Sequence, residues 1–225
     1  MESTPILFKS LPKRQQNAAR KRVGLLDALL TRLATRSMPA ITVRELCDEV
    51  GVAEQTFFNT FGGKPAVLSF HVMLWSIEMQ WRMQRADTAE QALRSVFVQS
   101  ALQMTSAPCL MPEIIVHQIR GRADGLPVCA PPTRGDKLLR FSEMPGAVEL
   151  EAQPIQLLLG GGVELAVTNG ELPANTDQEQ LTHLLCALFF GAAASSSDCG
   201  TVADVLMRGF DALWRGHSHI DKANQ

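Results

Sequence analysis

Residues 51–64 read GVAEQTFFNTFGGK. Around three phenylalanines they gather Gln55, Thr56, Asn59 and Lys64, side chains that can hold a phosphate or a base edge. The Gly-Gly-Lys ending echoes a nucleotide-phosphate loop. That loop needs a glycine five positions before its last glycine, and Ser or Thr after the lysine. Phe58 and Pro65 stand there instead, so the loop is excluded. Double-stranded DNA fits better. A glutamine can pair with adenine through both ends of its amide in the major groove, which suits Gln55. Thr56 can reach a phosphate or a thymine methyl group. Asn59 and Lys64 can hold backbone phosphates, and Lys64 stands beside a helix N-terminus, which favours anions. Glu54 either accepts from cytosine or matches the dipole of a first helical turn.

No nucleophile elbow, HExxH run or paired-carboxylate motif occurs, so neither an enzyme nor a cofactor is expected. His217 and His219 have the types to bind a metal, but they lie past the last expected helix and read as a solvated tail. The five cysteines are scattered with no CxxC pair, which argues for reduced thiols in a cytoplasm. The N-terminus lacks a signal-peptide core, and the longest apolar run, LLCALFFGAAA, is too short to span a membrane.

These residues need elements to hold them, and almost every periodic segment reads as helix, giving an all-α fold. Apolar residues at Val23, Leu26, Leu29, Leu30 and Leu33 mark one face of a helix over about 15–36. Thr42 with Glu45 three positions on forms a capping box, and Gly51 ends that helix. A second short helix follows over 54–61, and Pro65 suits the first turn of the next. Further helices are expected from Thr88 to near Pro108, then over about 111–120, 134–143 and 147–168, with LGGGV weakening the last of these. Asp177 caps one to about Ala194, and the final helix runs from Thr201 to about Trp214. Two short helices about a glycine turn make a helix-turn-helix. Leu46, Val50, Val52, Phe57 and Phe61 would be its shared core.

Charge agrees with a polyanion partner at one end. Residues 1–70 carry 10 Lys/Arg against 6 Asp/Glu, whereas the remainder is acidic.

Here the residues resemble the DNA-binding domain of TetR-family transcriptional regulators. The chain offers LLDALL, TVRELC, GVA, TFFNTF and GK in that family's order and spacing. A later segment, GGGVELAVTNGELPANTDQEQLTHLLCALFFGAA, is similar to the family's region before its two dimer-forming helices. Phe58 replaces the usual tyrosine, Asn59 the usual Arg or His, Gly62-Gly63 a Pro-Ser-like pair and Pro65 a common glutamate. The resemblance implies an N-terminal arm and DNA-binding domain over 1–70, with a helical effector-binding and dimerisation domain over 71–225. It implies a cytoplasmic homodimer, most often a repressor, on a near-palindromic operator. The alternative is a helical ligand-binding or scaffold protein whose helix-turn-helix no longer binds DNA. The residues expected to face DNA are Thr42, Arg44, Ala53, Glu54, Gln55, Thr56, Phe58, Asn59 and Lys64.

Residues 71–145 are rich in methionine and aromatics, which can line an adaptable apolar pocket for a small effector or simply fill a core. Met79, Met83, Phe97, Met104, His117 and Phe141 are the expected effector contacts. For the dimer contact, Leu181, Leu185, Leu188, Phe189 and Ala192 form one apolar face, and Val205 and Phe210 lie on another.

Overall fold

The computed structural model describes residues 4–124, 129–195 and 199–218. Among the described residues all regular structure is helical. The chain forms two compact units. One takes residues up to Glu78 together with Ala107–Ala152, and the other takes Met79–Ser106 and the residues from Gln153 on.

The first unit begins with a short helix, α1 (Thr4–Ser10), which the sequence pattern does not announce. Helix α2 (Lys13–Leu33) buries Val23, Leu26, Leu29 and Leu33 of the expected face, leaves Leu30 half-buried, and buries Leu25 as well. Next come α3 (Val43–Val50) and α4 (Glu54–Phe61). Thr42 and Glu45 form the capping box: Thr42 Oγ1 accepts from the Glu45 amide, and the Glu45 carboxylate accepts from the Thr42 amide at 2.7 Å. With Arg36 adding a hydrogen bond, these contacts lower the Glu45 pKa to about 2, the Thr42 amide contributing most. Gly51 closes α3 at φ 69°, left-handed backbone that a β-carbon would strain.

Helix α5 (Lys64–Met83) leaves this unit after Glu78, and α7 (Leu110–Asp124) and α8 (Arg134–Arg140) rejoin it. Glu113 of α7 accepts from the Met38 amide at 2.8 Å, and the Cys109 amide donates to the Leu33 carbonyl at 3.2 Å. Helix α8 lies on α1 and α2, where Phe8, Ala19 and Leu138 make a small apolar cluster. Its Asp136, fully buried, accepts from Arg22 of α2 at 2.7 Å.

The second unit is built from α6 (Ala89–Ser106), α9 (Ile155–Thr168), α10 (Gln178–Ser195) and α11 (Cys199–Ser218). Helix α6 is capped twice: Thr88 Oγ1 accepts from the Gln91 amide, and Glu171 accepts from the Ala89 and Glu90 amides at 2.7 and 2.9 Å. The single helix expected over 147–168 is instead a 3-10 turn, Ala147–Glu149, followed by α9, which starts after Pro154. Proline lacks the amide that a continuous helix would need. The glycines of α9 stay helical, and Gly162 lets α9 approach Leu93 closely. Asp177 Oδ1 accepts from the Gln180 amide at 2.9 Å, the expected cap of α10.

The faces of α10 and α11 differ from the expected dimer assignment. Leu181, Leu185, Phe189, Ala192 and Phe210 are buried within the chain. Phe97 of α6 explains part of this, with its ring 6.0 Å from Phe189 and 5.2 Å from Phe210. Their surface is already used by the subunit's own core. Val205 is 36% exposed and Leu188 is half-buried; Leu184, at 39%, points outward beside them.

Candidate nucleic-acid interface

Three aromatics build the floor of the helix-turn-helix. Phe57 is fully buried and Phe61 nearly so, and Phe61 packs on Phe70 of α5 with ring centroids 5.6 Å apart. Leu46 and Cys47 of α3 are buried as well, so α3 and α4 share an apolar underside. The opposite side of α4 is open to solvent. Ala53, Glu54, Gln55, Phe58 and Asn59 are exposed, and Thr56 is half-buried. Thr42 and Arg44 are exposed at the start of α3, with Arg44 3.8 Å from Asp48 one turn on. Eight of the nine residues expected to face DNA thus surround the first turns of two helices.

The side chains on this face are ordered by their neighbours. Gln55 Nε2 donates to Asn59 Oδ1 at 2.9 Å across one turn. A primary amide keeps a second hydrogen and a carbonyl beyond that bond, a donor–acceptor pair of the kind an adenine edge requires. Asn59 therefore buttresses Gln55. Phe58, 46% exposed, stands edge-on to Phe57, centroids 5.4 Å apart at 90°. Its ring is anchored, but it has no hydroxyl to donate.

Lys64, the ninth residue, differs. Its ammonium donates to the Met38 carbonyl at 2.6 Å and to the Ile41 carbonyl. Those carbonyls belong to the 3-10 turn, Met38–Ala40, and its C-cap, one residue before Thr42. Lys64 ties the entry of α3 to the start of α5, so its expected role as a phosphate contact gives way to an anchoring one. Sequence carried no signal for this, because both acceptors are backbone atoms.

Arginines fasten the remaining sides. Arg32 pairs with Glu49 and donates to the Glu45 carbonyl at 3.1 Å, and Arg36 meets the Glu45 carboxylate at 3.0 Å. Helix α3 is thereby fixed to α2 and to the residues just after it, by groups that leave the outer face of α4 uncovered.

The candidate effector residues fall into both units. Met79, Met83, Phe97 and Met104 belong to the second, and His117 and Phe141 to the first. Phe97 and Met79 are fully buried, and Phe141 is 2% exposed. His117 Nε2 lies 2.8 Å from Ser69 Oγ, and burial lowers its pKa. A second histidine, His71, was missed; it is buried, which with the positive charge of Arg140 lowers its pKa to about 4. An open groove of about 460 Å³ lies along Asp177, Glu179, Gln180, His183, Leu184 and Ala187, and holds none of the six. His217 Nδ1 lies 2.8 Å from the Leu213 carbonyl, and His219 lies outside the described residues. Among the described residues no group of three or more His, Cys, Asp or Glu could hold a metal ion, and no helix is long and apolar enough to cross a membrane.

No protein-family model and no curated relative matches the chain. Solved structures do. A protein studied for the control of antibiotic production by a bacterial hormone shares 19% identity, with TM-score 0.57 over 86% of this chain and 93% of that one. A TetR-family transcriptional regulator from Streptomyces coelicolor shares 13%, with TM-score 0.53 over 91% and 98%. The TetR-family regulator CifR, solved as a cysteine mutant with 26-bp double-stranded operator DNA, shares 14%, with TM-score 0.51 over 87% and 95%. The chain has the TetR-family regulator fold. At these identities the likeness is one of architecture. Within the TetR-type architecture, α3 and α4 form the helix-turn-helix and α4 is its second helix.

Proposed function

We propose that this chain is a dimeric DNA-binding transcriptional regulator, a repressor released from a near-palindromic operator by a small, mainly apolar effector. The observation that carries the reading is the outer face of α4. Gln55 is exposed, held by Asn59, and mounted on the buried Phe57–Phe61 underside. A rigid helix with amides presented in that way suits the major groove. Thr42, Arg44 and Thr56 flank it as phosphate contacts, with Ala53 and Phe58 as apolar contacts and Glu54 at the edge.

Dimerisation is proposed through the outward sides of α10 and α11, around Leu184, Leu188 and Val205. A two-fold dimer places two recognition helices about 34–36 Å apart, or more where half-sites are spaced wider. Effector binding among the methionines and aromatics of residues 71–225 would move α5 and change that spacing. The effector can shift the equilibrium only by its differential affinity for the two states.

Selection from random double-stranded DNA tests the reading. Enrichment of an inverted repeat supports it. Failure to enrich any DNA, with the protein folded and dimeric, favours the ligand-binding or scaffold alternative.

A further inference from the structure

Arg22 of α2 sits where four parts of the first unit meet. Its Nη1 donates to Asp136 Oδ2 at 2.7 Å and to the Pro131 carbonyl at 3.3 Å. Its Nη2 donates to the Ala130 carbonyl at 2.7 Å. The guanidinium lies over the Phe70 ring, 4.3 Å from its centroid, and 5.9 Å from that of Phe61. Phe61 is the last residue of α4 and packs in turn on Phe57, centroids 6.0 Å apart with the rings tilted at 47°. A continuous set of contacts therefore runs from Asp136 through Arg22 to the underside of the recognition helix.

Asp136 Oδ2 also caps α8, accepting from the Thr133 amide and hydroxyl at 2.8 Å each, but the ion pair itself is incompletely satisfied. Arg22 is 8% exposed and Asp136 fully buried, yet Arg22 Nε and Asp136 Oδ1 have no hydrogen-bond partner. A buried ion pair with unsatisfied atoms is often no better than apolar side chains of the same volume. What the pair does supply is direction. A planar guanidinium whose N–H groups are held by fixed acceptors, and whose carbon lies over the Phe70 ring and near that of Phe61, constrains where those rings sit.

We propose that Arg22 and Asp136 are positioning residues for the recognition helix. Through them the segment 130–136 sets how α4 is held, and displacement of that segment loosens α4 and lowers operator affinity. This inference rests on the DNA-binding reading of α4, but one of its readouts does not need DNA.

The test compares the full-length wild type with Asp136→Asn and with the double variant Arg22→Met/Asp136→Leu, which refills the site with apolar volume. Amide hydrogen exchange over 54–61 is measured for each, along with affinity for the DNA that the wild type selects. Positioning predicts that the double variant folds, with a Tm lowered only by the loss of the α8 capping box that Asp136 makes with Thr133. It also predicts that exchange over 54–61 accelerates tenfold or more, and that operator affinity falls tenfold or more, about 1.4 kcal/mol. Its salt dependence should be unchanged, because no phosphate contact is lost. Wild-type exchange and affinity in a stable double variant would overturn the proposal. So would a double variant that fails to fold, because the pair would then be a requirement of the fold itself. If the wild type selects no DNA, the DNA-binding reading fails, and the exchange comparison still decides whether the pair holds α4.

Discussion

Replacing Lys64 by methionine keeps the aliphatic stem and removes the ammonium. Two carbonyls, of Met38 and Ile41, then lose their charged donor. Hydrogen bonds to a charged group contribute about 1.5–3 kcal/mol each, and the half-buried setting of Lys64 argues for the lower end. One ammonium serves both acceptors, so the expected loss is about 2–3 kcal/mol in total. For a chain of 225 residues that corresponds to a Tm lower by roughly 5–10 °C. Operator affinity measured well below that Tm should fall on all sequences alike, because the entry of α3 is loosened. The decisive quantity is the slope of log K against log salt. An anchoring lysine leaves it unchanged, whereas loss of one phosphate contact per subunit, two per dimer, flattens it by about 1.8. An unchanged Tm together with a flattened slope would refute the anchoring role and return Lys64 to the phosphates.

Other outcomes follow from the interior. His71 has a folded pKa of about 4 against an ordinary 6.5, through burial first and Arg140 second, so the unfolded chain binds the proton more readily. Its contribution to stability is complete above about pH 6.5 and is lost as pH falls towards 4, at up to about 1.4 kcal/mol per pH unit. Urea melts from pH 7 to 4 measure this, and His71→Gln should shallow the decline; equal slopes for variant and wild type would contradict it. At Gly162 a β-carbon would lie 2.5 Å from Leu93 Cδ2, whereas at Gly161 it would meet nothing within 4 Å. Gly162→Ala should therefore destabilise by up to about 2 kcal/mol, overpacking exceeding the helix-propensity gain, while Gly161→Ala stabilises by up to about 1 kcal/mol. Thermal melts that rank the two the other way round would contradict the close packing of α9 on α6.

Sequence reading reached furthest where the signal is local. The Thr42–Glu45 capping box, the Gly51 turn and the alternation of Phe57 and Phe61 with exposed amides lie within twenty residues, and each acts on its near neighbours. It failed where a partner is distant or is backbone. Asp136 lies 114 residues from Arg22, and the acceptors of Lys64 are carbonyls that any residue types would supply. The faces of α10 and α11 show a third kind of failure. Periodicity shows that Leu181, Leu185 and Phe189 face something apolar, but the pattern is the same for a partner subunit and for α6 of the same chain. Helix α1 escaped notice because a seven-residue helix spans too few turns to set up a period.

The claim that α4 reads DNA is tested most directly by selecting from random double-stranded DNA with the wild type and Gln55→Ala in parallel. The wild type should enrich an inverted repeat with half-sites about one helical turn apart or wider. Gln55→Ala should keep that spacing but lose an adenine preference at one position in each half-site, a difference of roughly 1–3 kcal/mol per site. No enrichment by a folded, dimeric wild type, or an identical motif from the variant, would contradict the account.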